Sequence, residues 1–313
     1  MNRHKTPGAV NADGAAPIFS VTLRAGRTNL ARVNVIRSVS ELHAAVAAVK
    51  RSGRRIALVP TMGALHEGHA ALMRKAREQN ATVIVSIYVN PTQFGPHEDL
   101  TRYPRDLDRD TALCNREAVE AIFAPTDAEM YPGGQTTAWV DETGLAKRLE
   151  GERRPGHFRG VCTIVAKLFN IVQPDVAVFG QKDFQQLQVV RRLVRDLSYP
   201  IQIVAVPTVR EPDGLALSSR NQFLNPDERA QALVLWRALH VAQTKFNEGE
   251  HDVHRLQTAM QLTVQLAPTA RLDYAEIVDA ESFQPLSVAK AGAVILLAVH
   301  LGKTRLIDNL MLA

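Results

Sequence analysis

From about residue 33 the chain alternates between short, almost wholly apolar runs and longer stretches whose apolar residues recur three or four apart. The first kind predicts buried strands at Val33–Arg37, Ile56–Pro60, Ala81–Val89, Ala121–Ala124, Asp175–Phe179 and Ile201–Val209. The second predicts helices at Ser40–Arg51 (capped by Ser40), His69–Gln79, Leu107–Glu117, Gly160–Val172 and Phe184–Asp196. Apolar strands interleaved with helices of this length predict an α/β fold, a Rossmann-like doubly wound parallel sheet. Beyond Val209 the texture changes. Asn225 and Pro226 open a long amphipathic helix, Pro226–Glu248, and Asp252–Leu266 reads as another. Strands at Arg271–Val278, Ala293–His300 and Arg305–Met311 follow, predicting a smaller C-terminal α+β domain. The expected division is a tail over 1–32, a nucleotide-binding catalytic domain over 33–208 and the α+β domain over 209–313.

Composition removes several classes. With 313 residues, 46% hydrophobic and 22% charged, the chain has material for a sizeable core, and no apolar run is long enough for a membrane helix. Two cysteines, 48 positions apart, make neither a metal spacing nor a disulfide framework, so a reducing, cytoplasmic setting is expected. The net charge of +5 is concentrated in residues 1–32, which carry +4. That segment lacks the apolar stretch of a secretory signal and any periodicity, and is expected to be a mobile tail. The remainder is near neutral, which offers no net-charge case for nucleic acid.

Candidate chemistry lies where predicted strands run into turns. Thr61–Gly68 follows a strand and opens a helix, whose unpaired N–H groups and dipole attract phosphate. Gly63 and Gly68 remove side chains where a nucleotide would approach, and His66 and His69 share one helical face. Two imidazoles there can donate to phosphate oxygens as charge develops. A metal pair or two surface histidines are the alternatives, although His-Glu-x-x-His is absent. Asn90 and Gln93, after the strand Ala81–Val89, can hydrogen-bond a small polar acid, or form only a turn. Gly180-Gln-Lys-Asp183 follows another strand: Lys182 supplies a mobile cation, Asp183 can cap the next helix, and Gln185 and Gln186 add amides. Leu217-Ser-Ser-Arg220 places two hydroxyls beside a guanidinium, a good match to phosphate. The arginine-rich stretch Arg148–Gly160 is read as an anion site or flap rather than a nucleic-acid surface. No Gly-x-x-x-x-Gly-Lys-Ser/Thr loop or dinucleotide fingerprint occurs.

His66-Glu-Gly-His69 resembles the His-x-Gly-His signature of the nucleotidyltransferase superfamily. Five ordered segments resemble one of its families, the pantoate–β-alanine ligases: Pro60–His69, Val89-Asn-Pro-Thr-Gln-Phe-Gly95 with Glu98–Arg105, Arg154–Gly160, Phe179–Gln186 and Leu217-Ser-Ser-Arg-Asn221. The N-terminal tail is the departure. The resemblance implies a two-step, Mg²⁺-dependent ligation in which pantoate attacks the α-phosphate of ATP and β-alanine then takes the acyl group. It implies ATP contacts from Met62, Gly63, Ala64, Leu65, His66, Glu67, Gly68, His69, Gly180, Gln181, Lys182, Asp183, Val209, Leu217, Ser218, Ser219 and Arg220. It puts Gln93 and Gln186, with Asn90, on pantoate. His69, His66, Lys182 and Arg220 are the implied catalytic set. Magnesium would bridge phosphates with few protein ligands, and the enzyme would be a homodimer acting on small-molecule substrates. Because water would hydrolyse an acyl adenylate, the C-terminal domain is expected to close as a lid. No nucleic acid or membrane partner is expected.

Overall fold

The computed structural model describes residues 33–96, 98–134 and 136–313; the tail expected over 1–32 lies outside these residues. Six parallel strands, β1 (Asn34–Ile36), β2 (Arg55–Thr61), β3 (Ala81–Ile87), β4 (Ala121–Phe123), β5 (Val176–Gly180) and β6 (Gln202–Val206), form one sheet in the order β1-β4-β3-β2-β5-β6. Strand alternation sorts its side chains. Ile56 and Leu58 face the core beneath α1 (Val39–Arg51), whereas Ala57 and Val59 face the core beneath α2 (Glu67–Arg77) and α3 (Leu107–Arg116). Helices cover both faces, as a parallel sheet requires. A short α4 (Asp127–Met130) follows β4.

After β2 the chain winds outward through β3 and β4, then returns to place β5 on the opposite side of β2. The carboxyl ends of β2 and β5 therefore flank a topological switch point, where open α/β sheets bind ligands. Two further helices, α5 (Glu150–Arg153) and α6 (His157–Val172), precede β5, and α7 (Phe184–Asp196) follows it.

The C-terminal part has α8 (Pro226–Gln231), α9 (Val234–Asn247), α10 (Val253–Gln265) and an antiparallel sheet of β7 (Ala270–Asp279), β8 (Ala293–Leu301) and β9 (Thr304–Met311). One face of this sheet, with Ile277, Ile295 and Leu297, packs on α9 and α10. The other, with Tyr274, Val278 and Leu296, joins the core of the parallel sheet.

The structure revises several element boundaries. Ser38, not Ser40, caps α1, its Oγ accepting from the Glu41 N–H at 3.3 Å; Ser38-Val-Ser-Glu41 has the Ser-x-x-Glu spacing of a capping box, which points to the earlier serine. The helix expected over Pro226–Glu248 is two: Leu235 N–H bonds to Ala232 three residues back, and this tighter turn separates α8 from α9. Asp183 makes no side-chain cap on α7; its carboxylate lies 3.7 Å from Lys182 Nζ instead.

Candidate active site

The turn between β2 and α2 is shaped by contacts within the chain. Gly63 has φ +79°, and a Cβ there would lie 2.9 Å from a carboxylate oxygen of Asp110. That carboxylate, buried on α3, accepts the backbone N–H groups of Ala64 (3.0 Å) and Leu65 (2.7 Å), so it holds the turn from behind. Gly68 is needed because the His66 ring folds over it: a Cβ would meet His66 Cε1 at 2.9 Å. Each glycine thus makes room for a neighbouring side chain, and Gly68 also lines the cavity described below.

At the start of α2 the histidines cap the helix reciprocally. His66 Nδ1 accepts from Gly68 N–H (3.1 Å) and His69 Nδ1 from His66 N–H (3.2 Å). An accepting Nδ1 leaves the proton of the neutral ring on Nε2. Burial, then the charge of Lys182, pushes His66 down to about 4; burial, then His66 and Lys182, pushes His69 down to about 3. Near neutral pH both are uncharged Nε2–H donors, separated by only 4.2 Å between ring centroids.

One cavity at the switch point is lined by Met62, His66, Gly68, His69, Asn90, Gln93, Gly180, Lys182, Asp183, Gln186, Val209, Leu217, Ser218, Ser219 and Arg220. Four turns far apart in sequence thus converge. Five of the expected contact residues do not line it. Gly63 and Ala64 turn toward Asp110, Leu65 is buried, and Glu67 points outward to pair with Arg74 and Arg116. Gln181 is not among the lining residues, although its backbone carbonyl accepts from Asn309, which is.

The pantoate-beta-alanine ligase family pattern matches residues 34–311. The chain belongs to this family. It is 52% identical over 280 residues to the pantothenate synthetase of Moorella thermoacetica, which spans 90% of this chain and 99% of that protein. The crystal structure of pantothenate synthetase from Thermus thermophilus is similar at TM-score 0.85 and 48% identity, covering 90% of this chain and 99% of that one. Pantoate-beta-alanine ligase from Francisella tularensis, complexed with beta-gamma ATP and beta-alanine, is similar at TM-score 0.74 and 34% identity, covering 89% and 97%.

Within this ligase-family cavity the amides differ in how far the protein already uses them. Asn90 is committed at both ends: Oδ1 accepts from Tyr131 Oη (2.7 Å) and Thr92 Oγ1 (3.0 Å), and Nδ2 donates to Gly160 O and Gln93 Oε1. Gln185 is likewise consumed, bonding Glu150 N–H and the carbonyls of Leu145 and Arg148. Among the described residues Gln93 Nε2 meets only the Met62 thioether, at 3.3 Å, a weak acceptor. Its amide therefore has donor capacity left for a ligand.

Three arginines of the 148–160 stretch are engaged within the fold. Arg154 forks onto Glu98 (2.8 and 2.6 Å), Arg153 faces Asp273 at 3.4 Å, and Arg159 stacks on Trp139. His157, from the same stretch, bonds Gln93 O through Nδ1 (2.8 Å) and Arg154 through Nε2 (3.0 Å), which ties this network to the Gln93 backbone. Asn309 of β9 donates to the carbonyls of Gln181 (3.0 Å) and Lys182 (2.8 Å), so the C-terminal sheet holds the lysine turn. Sequence reading missed Asp110, His157 and Asn309 as positioning groups. Asp110 was the detectable one: with Cys114 it lies on the buried face of α3, where an acid needs buried donors.

Burial and Arg154 also push His157 down to about 4. Three histidines thus stay neutral in the fold while their unfolded counterparts protonate below about 6.5. The unfolded state binds more protons in that window, so stability falls as pH drops from about 6.5 toward 4 and is insensitive to these groups above it. Each contributes a loss of up to about 1.4 kcal/mol per pH unit there. Thermal melts at pH 7.5 and 5.5 should show a clear drop in Tm at the lower pH; equal values would refute the assignment.

Proposed function

We propose that the chain condenses pantoate with β-alanine at the expense of ATP, giving pantothenate, AMP and pyrophosphate through pantoyl adenylate. The carrying observation is the convergence, in a chain of this family, of His66, His69, Lys182 and Ser218–Arg220 on a cavity that also exposes Gln93 and Gln186.

A carboxylate is a poor acyl donor to an amine, so the acid must first acquire a leaving group. In our reading, pantoate is held by Gln93 and Gln186 with its carboxylate in line with the α-phosphorus, which removes much of the entropic barrier. As the oxygen attacks, negative charge grows on the phosphate oxygens. The Nε2–H groups of His66 and His69 and the ammonium of Lys182 stabilise it from fixed positions. In this reading His69, neutral near pH 7 with its proton on Nε2, stabilises the growing phosphate charge as a hydrogen-bond donor. The β-alanine amine then attacks the acyl carbon and AMP leaves. Water would hydrolyse the adenylate, so the wall formed by Tyr103 and Leu217–Arg220 would serve to keep solvent from the acyl carbon.

Among the described residues no three His, Cys, Asp or Glu side chains gather as a metal site. Magnesium favours phosphate oxygens and water, with one or two carboxylates. Of the carboxylates lining the cavity, Glu150 and Asp308 are bound by Arg305 and Arg210, so Asp183 is the side chain fitted to hold a phosphate-borne ion. The ion would screen the triphosphate charge. By resemblance, and with both thiols buried, the enzyme is read as a cytoplasmic homodimer.

The deciding assay measures pyrophosphate release from ATP–Mg²⁺ with and without pantoate and β-alanine. Release should need pantoate, and AMP and an amide product should appear only when the amine is added. Pantoate-independent release, or none, overturns the reading. Gln93→Ala should raise the KM for pantoate at least about tenfold and leave that for ATP nearly unchanged, matching loss of hydrogen bonding to a charged substrate. An unaltered pantoate dependence would remove Gln93 from the substrate site.

A further inference from the structure

Arg220 is the most obvious phosphate ligand in the Leu217–Arg220 loop, yet its fork is already taken. Nε donates to one carboxylate oxygen of Asp99 at 2.8 Å and Nη2 to the other at 2.9 Å. Asp99 belongs to the segment between β3 and α3, 121 positions away in sequence. The neighbouring serine is engaged by the same segment, Ser219 Oγ lying 3.3 Å from Tyr103 Oη. Tyr103 is itself buried and packs edge-on against Phe94, so the segment is anchored from below. Burial alone would raise the Asp99 carboxyl, but the guanidinium outweighs it and holds the acid below its ordinary range, so it is charged near neutral pH. Two phosphate-directed donors of one loop therefore share their hydrogen bonds with a single facing segment.

We propose that Asp99 is a built-in competitor for phosphate at Arg220: the carboxylate occupies the guanidinium fork, yields it to the polyphosphate of the nucleotide, and retakes it as pyrophosphate leaves. This rests on the ligase reading above. The physical logic is exchange. A bidentate carboxylate and a bidentate phosphate offer Arg220 the same kind of charge-assisted bonds, so trading one for the other changes little in contact energy. Anion affinity is then lower than an unpaired guanidinium would give, and the departing anion does not leave a half-buried cation uncompensated. An enzyme that must release pyrophosphate at every turnover gains from such a return partner. Tyr103 keeps the segment near while the pair is open.

The test is calorimetric binding of pyrophosphate, and separately of ATP–Mg²⁺, to wild type, Asp99→Asn, Asp99→Glu and Arg220→Ala. Asp99→Asn removes the charge with little change of shape and should tighten pyrophosphate about 3–10-fold, the range for loss of a partly exposed competing ion pair. Asp99→Glu, which keeps the competitor, should stay within about twofold of wild type. The gain should vanish in Asp99→Asn combined with Arg220→Ala, because the two act as one unit. Should Asp99→Asn melt early, Asp99→Ser carries the same expectation. A residue that merely braces the loop would lose affinity on replacement, so unchanged or weaker binding in both variants overturns the proposal. If wild type binds neither probe, the ligase reading falls with it; if wild type binds and only the variants fail to gain, Asp99 alone is reassigned.

Discussion

His69→Asn is expected to lower turnover by about 10²–10³ while the protein stays folded, and His69→Gln to lose distinctly less. The two replacements split the functions of one ring. Asparagine puts an acceptor where Nδ1 takes the His66 N–H, preserving the helix cap, but has nothing at the place of Nε2. Glutamine can put an N–H₂ group near the Nε2 position and gives up the cap. A transition-state donor predicts Gln above Asn; a purely structural cap predicts the reverse. A general acid predicts that both are equally poor, because neither amide can give up a proton. Single-turnover pyrophosphate release at saturating pantoate and ATP makes the comparison. Near-normal turnover in the asparagine variant would remove His69 from the chemistry.

Glu150→Ala is expected to destabilise the fold by about 3 kcal/mol, with Glu150→Gln intermediate. Glu150 is buried; its carboxylate accepts from Tyr274 Oη at 2.7 Å and from both terminal nitrogens of Arg305 at 2.7 and 2.8 Å. Among the described residues, removing it leaves the tyrosine hydroxyl without a hydrogen-bond partner and the guanidinium with Asp273 alone. A β-bulge on β7 between Leu272 and Tyr274 lets consecutive residues, Asp273 and Tyr274, both reach this cluster. Urea unfolding at pH 7.5 measures the loss, and a midpoint within error of wild type would show the network to be energetically neutral. Because Glu150 and Tyr274 come from the two halves of the chain, the same variant should also loosen the cavity they line.

Much of this was legible before any coordinates. Short apolar runs located each strand of the parallel sheet, because a strand buried on both faces must be apolar throughout. The turns that carry His66, Lys182 and Arg220 were visible for a related reason: polar, phosphate-suited residues directly after an apolar run have few purely structural uses. Glu67 turns away from the cavity although it stands inside the motif, because a motif gives residue types, whereas the direction of a side chain depends on which helical face it occupies. The boundary at Ser38 rather than Ser40 turned on a single hydrogen bond, which the Ser-x-x-Glu spacing of Ser38 and Glu41 favours.

By its own pattern, the chain determined the α/β class, the two sheets, the turns that bear the chemistry and the family, since each is written in periodicity or in contiguous residues. Only the tertiary structure decided which donors are spent and which are available. Asn90 is saturated where Gln93 is not, the Arg154 and Arg220 forks are closed by Glu98 and Asp99, and Asn309 holds the lysine turn. Each of these pairings joins distant segments, and hydrogen-bond capacity is used up in space rather than along the chain.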